Sequence, residues 1–145
     1  MVKSYKLSGV DCVMTYDTND FSTRLLTPAI STALECPVDF GPNVYIFDPS
    51  MPMSAIQSKC NELFTEQESD QFSFGRYCFL FKPGSYNLDI NIGFYTEVLG
   101  LGLSPDDVTI TGAVHSEADW MGGNATCTFW RSVANMAVVP TNGLN

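Results

Sequence analysis

Short apolar runs, separated by glycine and proline, dominate the middle of the chain. Residues 88–92 and 108–111 alternate apolar and polar positions, and this period of two predicts half-buried strands. Residues 77–81 are apolar throughout and rich in aromatics, which predicts a strand covered on both faces. Pro83 presets φ and Gly84 permits a positive φ, so the pair predicts a tight turn after that strand.

One helix is predicted among these strands, over residues 52–66. Pro52 suits the first helical turn, and Ile56, Cys60 and Leu63 recur at the spacing of one apolar face. We expect this helix to cover the open end of a stack of strands, where unpaired edges would otherwise invite aggregation.

Further strands are predicted over residues 43–47, 98–101 and 127–139. The apolar runs beginning at positions 88, 108 and 133 are 20 and 25 residues apart, a spacing that suits a solenoid. We therefore predict an all-β domain of stacked coils over residues 41–145, preceded by an arm or cap over residues 1–40. Because solenoids need about three repeats and two capped ends, we expect the domain to continue beyond this chain.

Several motifs carry a resemblance to a known group of proteins. They include Lys82-Pro83-Gly84-Ser85-Tyr86, Val98-Leu99-Gly100-Leu101-Gly102, Asp119-Trp120 and Phe129-Trp130-Arg131-Ser132. These motifs resemble the N-terminal part of large secreted proteins of actinobacteria and fungi within the pectate-lyase-like superfamily. The group is named for discoidin-like domains (coagulation factor 5/8 type), and some members are labelled adenylyl cyclase.

The resemblance implies a right-handed parallel β-helix, the pectin lyase fold, with secretion and a role in carbohydrate chemistry. Polysaccharide or cell-wall glycan is the partner it implies. The sequence contains neither a nucleotide-cyclase motif nor a glycine-rich phosphate loop that opens a helix, so the cyclase label finds no support. The resemblance supplies no catalytic residues.

Charge and composition narrow the choice of partners. Seven Lys or Arg stand against sixteen Asp or Glu, and no basic stripe exists, so nucleic acid and anionic membranes are not expected partners. No apolar run is long enough for a transmembrane segment, and the first residues lack the apolar region of a clear signal peptide. Nothing in the sequence indicates the oligomeric state.

The five cysteines leave two alternatives open. Cys12, Cys36, Cys60, Cys78 and Cys127 have no CxxC spacing, so a zinc site is not expected. In a secreted protein they would form one or two disulfides with a spare thiol, whereas five reduced core cysteines fit the sequence equally well.

The candidate catalytic residues follow the strand at residues 108–114. His115 is the single histidine, and with Glu117 and Asp119 nearby it is a candidate general acid or base. Glu117 and Asp119 are also a candidate carboxyl pair for glycoside hydrolysis. A surface turn is the structural alternative for all three, and turn chemistry is the favoured interpretation of Asp106-Asp107.

Aromatic residues and one sequon complete the candidates. Trp120 and Tyr95 are candidate sugar-stacking residues, with core packing as the alternative, and packing is favoured for Trp130. Asn124 opens the single N-x-S/T sequon and is a candidate glycosylation site. No cofactor is expected. Calcium bound by carboxylates is the one alternative considered, and no motif in the sequence supports it.

Three functions remain open at this stage. The first is a secreted polysaccharide-active enzyme, either a glycoside hydrolase or a polysaccharide lyase, that loses activity in Asp119→Asn. The second is a non-catalytic carbohydrate-binding or cell-surface module. The third is a truncated product without activity of its own.

Overall fold

The computed structural model describes two short N-terminal strands by their backbone, and residues 39–141 with their side chains. Strands β1 (Val2–Leu7) and β2 (Val10–Thr15) pair in an antiparallel hairpin. They belong to the first of two compact units, Met1–Phe40 and Gly41–Asn145. Apart from this hairpin, the arm or cap predicted at the N-terminus lies outside the described residues.

Three of the five cysteines have described side chains. Cys60, Cys78 and Cys127 are free thiols, and burial raises the pKa of the Cys60 thiol to about 12, which makes it unreactive. The side chains of Cys12 and Cys36 lie outside the described residues, so the pairing of the cysteines stays a prediction.

The described part of the second unit contains seven strands and one helix. In chain order they are β3 (Val44–Phe47), α1 (Met53–Gln67), β4 (Tyr77–Phe81), β5 (Gly84–Asn91), β6 (Thr96–Gly100), β7 (Val108–His115), β8 (Ser132–Ala134) and β9 (Ala137–Pro140). Within this part of the chain no helix is long and apolar enough to cross a membrane.

The seven strands form two parallel sheets. One has the order β3-β4-β6-β8 and the other the order β5-β7-β9, so the chain passes from the first sheet to the second in each of three successive turns. The predictions of a mostly β fold and of one helix are therefore confirmed.

The register of the strands aligns apolar side chains into one core. Phe79 pairs with Tyr45 on one side and Val98 on the other, and Tyr86 pairs with Ile110 in the second sheet. All five side chains pack into this core, in which Phe79, Val98, Tyr86 and Ile110 are fully buried. Gly84 at the start of β5 pairs with Val108 at the start of β7, so these paired strands are 24 residues apart and not the predicted 20.

The single strand predicted over residues 127–139 is wrong. The structure divides it into β8 and β9, which belong to different sheets, because Asn135 between them adopts a left-handed φ of 54°. The Asn135 side chain donates hydrogen bonds of 2.8 Å to the carbonyls of both Gly100 and Gly102. A side chain at position 100 would clash with the Asn135 carbonyl oxygen, so the tight corner requires glycine there.

Helix α1 lies against the edge of the second sheet, and its prediction over residues 52–66 is confirmed. Ile56, Cys60 and Leu63 bury the apolar face. From the same helix the Gln57 amide donates to the Asp89 carbonyl at 2.7 Å and accepts from the Asp89 N–H at 2.9 Å. A side chain thus satisfies the N–H and the C=O of Asp89, which β5 would otherwise present unpaired.

We predict that Gln57→Ala destabilises the domain and promotes self-association. The variant loses both hydrogen bonds to the Asp89 backbone and one to Asn61, each worth about 0.5–1.5 kcal/mol, and reopens the β5 edge to pairing with a second molecule. Chemical unfolding and concentration-dependent light scattering measure the two effects.

The matched control is Ser58→Ala, one position further along an exposed stretch of the same helix. It should leave both measurements at the values of the parent chain. Equal unfolding midpoints for the two variants would contradict the role given to Gln57.

Candidate functional site

A long loop distinguishes one corner of the stack from the others. The chain crosses from β5 to β6 in four residues, 92–95, but uses the 16 residues 116–131 between β7 and β8. Loops longer than about 12–15 residues are uncommon in compact domains and are often functional. Residues 116–131, here called the corner loop, also carry most of the residues predicted to act on a substrate.

Phe94 in the short crossing anchors the corner loop. Its ring is fully buried, and it makes edge contacts with Trp120 at 5.6 Å and Phe129 at 5.7 Å between ring centroids. The guanidinium of Arg131 lies 4.4 Å from the centre of the same ring. These aromatic and cation–π contacts tie the start and the end of the loop to one side chain.

The Arg131 side chain joins the end of the corner loop to the short crossing at residues 92–95. It donates a 2.5 Å hydrogen bond to the Ile92 carbonyl, and burial lowers the pKa of its guanidinium. Among the described residues its Nε and Nη2 are buried without a hydrogen-bond partner, so the Phe94 ring is their principal compensation. In the same part of the chain the Trp120 Nε1 is also buried without a partner, and the predicted sugar-stacking ring of Trp120 packs edge-on against Phe94.

His115 lies between two carboxylates on the outer face of the second sheet. Its Nε2 is 2.8 Å from Asp89 Oδ1 on the adjacent strand, and its Nδ1 is 3.7 Å from Glu117 Oε1. An ionised carboxylate only accepts hydrogen bonds, so His115 donates to Asp89 in the tautomer that carries its proton on Nε2. The three groups are partly exposed and open to a substrate.

Two further predicted residues lie elsewhere on the corner loop. Asp119 begins a short 3₁₀ turn and is exposed, and its carboxylate bonds to no other described residue. Asn124 is also exposed, and its Oδ1 accepts hydrogen bonds from the N–H and the hydroxyl of Thr126. The structure therefore brings His115 and Glu117 together, and Asp119 and Asn124 stand outside their cluster.

Tyr95, the other predicted sugar-stacking residue, belongs to a stack of three planar side chains. Arg76 lies over one face of the Tyr95 ring at 3.4 Å, and the Trp130 ring stacks on it at 5.0 Å with an interplanar angle of 14°. Because Tyr95 is covered on both faces, the free aromatic face of the stack belongs to Trp130, which is 51% exposed.

A groove of about 540 Å³ runs beside this stack. Its lining includes Arg76, Tyr95, Glu97, Trp130 and Ser132. This volume lies within the range of about 300–1,000 Å³ that small-molecule sites occupy.

The sequence analysis missed Asp89 as a neighbour of His115, and it did not predict the exposure of Trp130. Asp89 precedes His115 by 26 positions, and only the register of β5 and β7 shows that the two side chains are neighbours. The outward position of Asp89 in the alternating strand was the available signal. Nothing local in the sequence indicates that Trp130 has a left-handed φ of 59°.

Within residues 39–141, no group of three or more His, Cys, Asp or Glu side chains is arranged to hold a metal ion. The expectation that the chain uses no cofactor stays a prediction.

No family model matches the chain. It is 57% identical over 109 residues to an exo-beta-1,3-glucanase of Streptomyces sp. (strain SirexAA-E / ActE), and this match covers 74% of the chain and 18% of the glucanase. The solved structure of sacteLam55A from Streptomyces sp. SirexAA-E is 56% identical, with a TM-score of 0.68 over 73% of this chain and 19% of that one. A variant of sacteLam55A in complex with glucose gives 54% identity and a TM-score of 0.69, over 72% of this chain and 19% of that one.

These comparisons correct the resemblance drawn from the motifs. The matched proteins are a glucanase and sacteLam55A, so assignment to the group named for discoidin-like domains or labelled adenylyl cyclase is wrong. The chain spans about a fifth of the length of the proteins it matches.

We predict that Phe94→Ala loosens the corner loop. Truncating a buried phenylalanine costs about 3–5 kcal/mol, and here it also removes the ring under Arg131. Trp120 would become solvated, so a red shift of tryptophan emission should accompany the lower unfolding midpoint.

Phe74→Ala is the matched control because Phe74 is 99% exposed. We expect its stability to stay within about 0.5 kcal/mol of the parent chain and its emission maximum to be unchanged. Similar losses in both variants would show that Phe94 does not anchor the loop.

Proposed function

We propose that this chain takes part in the hydrolysis of β-1,3-linked glucan, and so belongs to a carbohydrate hydrolase. The proposal rests on 57% identity over 109 residues to a protein named exo-beta-1,3-glucanase. At this identity the same backbone is expected, and the TM-score of 0.68 to sacteLam55A agrees with that expectation. A polysaccharide substrate also favours secretion, as the motifs first implied.

The proposal extends to the architecture. The alternation between two parallel sheets with an apolar core between them supports a right-handed parallel β-helix, of which residues 41–145 are N-terminal coils. Val133 on β8 and Val138 and Val139 on β9 are about half exposed at the last strand of each sheet. Further coils on these strands would cover them.

The cluster around His115 supports acid–base chemistry on a glycosidic bond. Glycoside hydrolysis uses two carboxyl groups about 5–10 Å apart, and Asp89 and Glu117 face the two ring nitrogens of His115. In the proposed step, Glu117 protonates the leaving sugar oxygen as the C–O bond breaks. Water adds to the anomeric carbon and gives its proton to the Asp89 carboxylate, which His115 Nε2 holds in place at 2.8 Å.

We predict that Glu117→Gln and Asp89→Asn lower turnover of β-1,3-linked glucan oligosaccharides by about 100-fold or more, the usual contribution of a general acid or base. Binding of the oligosaccharide and the thermal midpoint should be retained, because both side chains lie on the surface. Release of reducing sugar measures turnover, and calorimetry measures binding.

Asp106→Asn is the control, because this exposed carboxylate lies in a turn away from the cluster. Asp119→Asn shows in the same assay whether Asp119 shares the chemistry. A folded parent chain that neither binds nor cleaves β-1,3-linked glucan would contradict the proposed function.

A further inference from the structure

A pocket of about 280 Å³ opens on the outer face of the second sheet, beside the proposed acid–base cluster. Ala113 and the backbone of Gly112, on the middle strand β7, form part of its floor. Its walls include Asn87 and Asp89 on β5 and Gln57 on α1. Because the pocket opens sideways from the stack of strands, access to it does not depend on either end of the stack.

The small side chain of Ala113 creates the space in this pocket. Ala113 pairs with Asp89 on β5, and the neighbouring outward positions on its own strand hold Thr111 and His115. A methyl group therefore lies among longer polar side chains. Gly112 is small for another reason, because a Cβ there would lie 2.0 Å from a backbone carbonyl oxygen of β5. The fold requires glycine at position 112, whereas the outward position 113 has room for a larger residue.

The rim of the pocket offers polar groups that suit the hydroxyls of a sugar. Asn87 is exposed, and its amide, which can both donate and accept, bonds to no other described residue. The hydroxyl of Thr141 lies across β7 from it. Both N–H donors of the Gln57 amide are engaged, one with the Asp89 carbonyl and one with Asn61, so Gln57 forms a fixed wall.

We infer that this pocket is a binding subsite for one glucose unit of a β-1,3-linked glucan, with the ring over Ala113 and Asn87 bonding its hydroxyls. The volume suits a single ring, because it lies just below the range of about 300–1,000 Å³ that small-molecule sites occupy. This inference rests on the proposed function, but it concerns binding and not the transfer of a proton.

The first experiment fills the pocket and follows binding through the single histidine. His115 lies two positions from Ala113 on the same face, so a β-1,3-linked glucohexaose should shift its imidazole NMR signal in a saturable way. In Ala113→Leu the larger side chain occupies the place of the ring, and the affinity should fall by about tenfold or more. Thr109→Leu is the matched control, because it enlarges the same face of β7 outside the pocket, and it should bind as the parent chain does.

The second experiment removes a polar contact without adding bulk. Asn87→Ala should lower the affinity by about three- to tenfold, the worth of one or two hydrogen bonds. Ser85→Ala is its control, because Ser85 is exposed on the same face of β5 outside the pocket. Both variants should keep the thermal midpoint of the parent chain, which separates a lost contact from a lost fold. Equal affinities in these two variants would overturn the contact assigned to Asn87.

The subsite and the proposed function fail in different ways. Unchanged affinity in Ala113→Leu, with a parent chain that binds the sugar, would overturn the subsite and leave the proposed function standing. A parent chain that neither binds nor cleaves the sugar would overturn both.

Discussion

Backbone pairing between equivalent strands of successive turns is the interaction on which the rest of this domain depends. Each pairing places like positions beside each other, so that Tyr45, Phe79 and Val98 align in one inward row. A stack of this kind leaves a strand edge at its beginning, and the chain covers that edge of the second sheet with α1. The side-chain amide of Gln57 bonds to the C=O and the N–H of Asp89 at that edge, as the backbone of a neighbouring strand would.

The sequence predicted the elements whose signals are local. The alternation in β5 and the apolar spacing in α1 each lie within a few residues. α1 appears within one residue of its predicted bounds, whereas β5 begins four residues before the predicted start at residue 88 and includes Gly84 of the predicted turn. The division between β8 and β9 was missed, because a left-handed Asn135 does not interrupt the apolar alternation on either side. The neighbourhood of Asp89 and His115 was missed for another reason, since it depends on a register that the apolar runs fix only to within a few residues.

The contrast between local signals and contacts made through the fold also explains why the environments of Trp120 and Trp130 differ from those predicted. The sequence favoured Trp120, in a polar segment, as the sugar-contacting residue and favoured packing for Trp130, within a predicted strand. In the structure Trp120 packs edge-on against Phe94, and Trp130 stacks on Tyr95 while 51% of it stays exposed. Polarity of the surrounding segment indicates where a loop lies, but not which of its side chains pack.

The buried and exposed halves of the corner loop are coupled through Phe94. Two left-handed aromatic residues raise the free energy of the corner, and the contacts of Phe94 with Trp120, Phe129 and Arg131 are the interactions available to offset it. Phe129 and Tyr95 each contact both Phe94 and Trp130, so two side chains link the buried cluster to the exposed indole. Loss of glycan binding in a buried variant such as Phe94→Ala would therefore report lost positioning, and only surface substitutions that leave the fold intact can identify the residue that contacts the sugar.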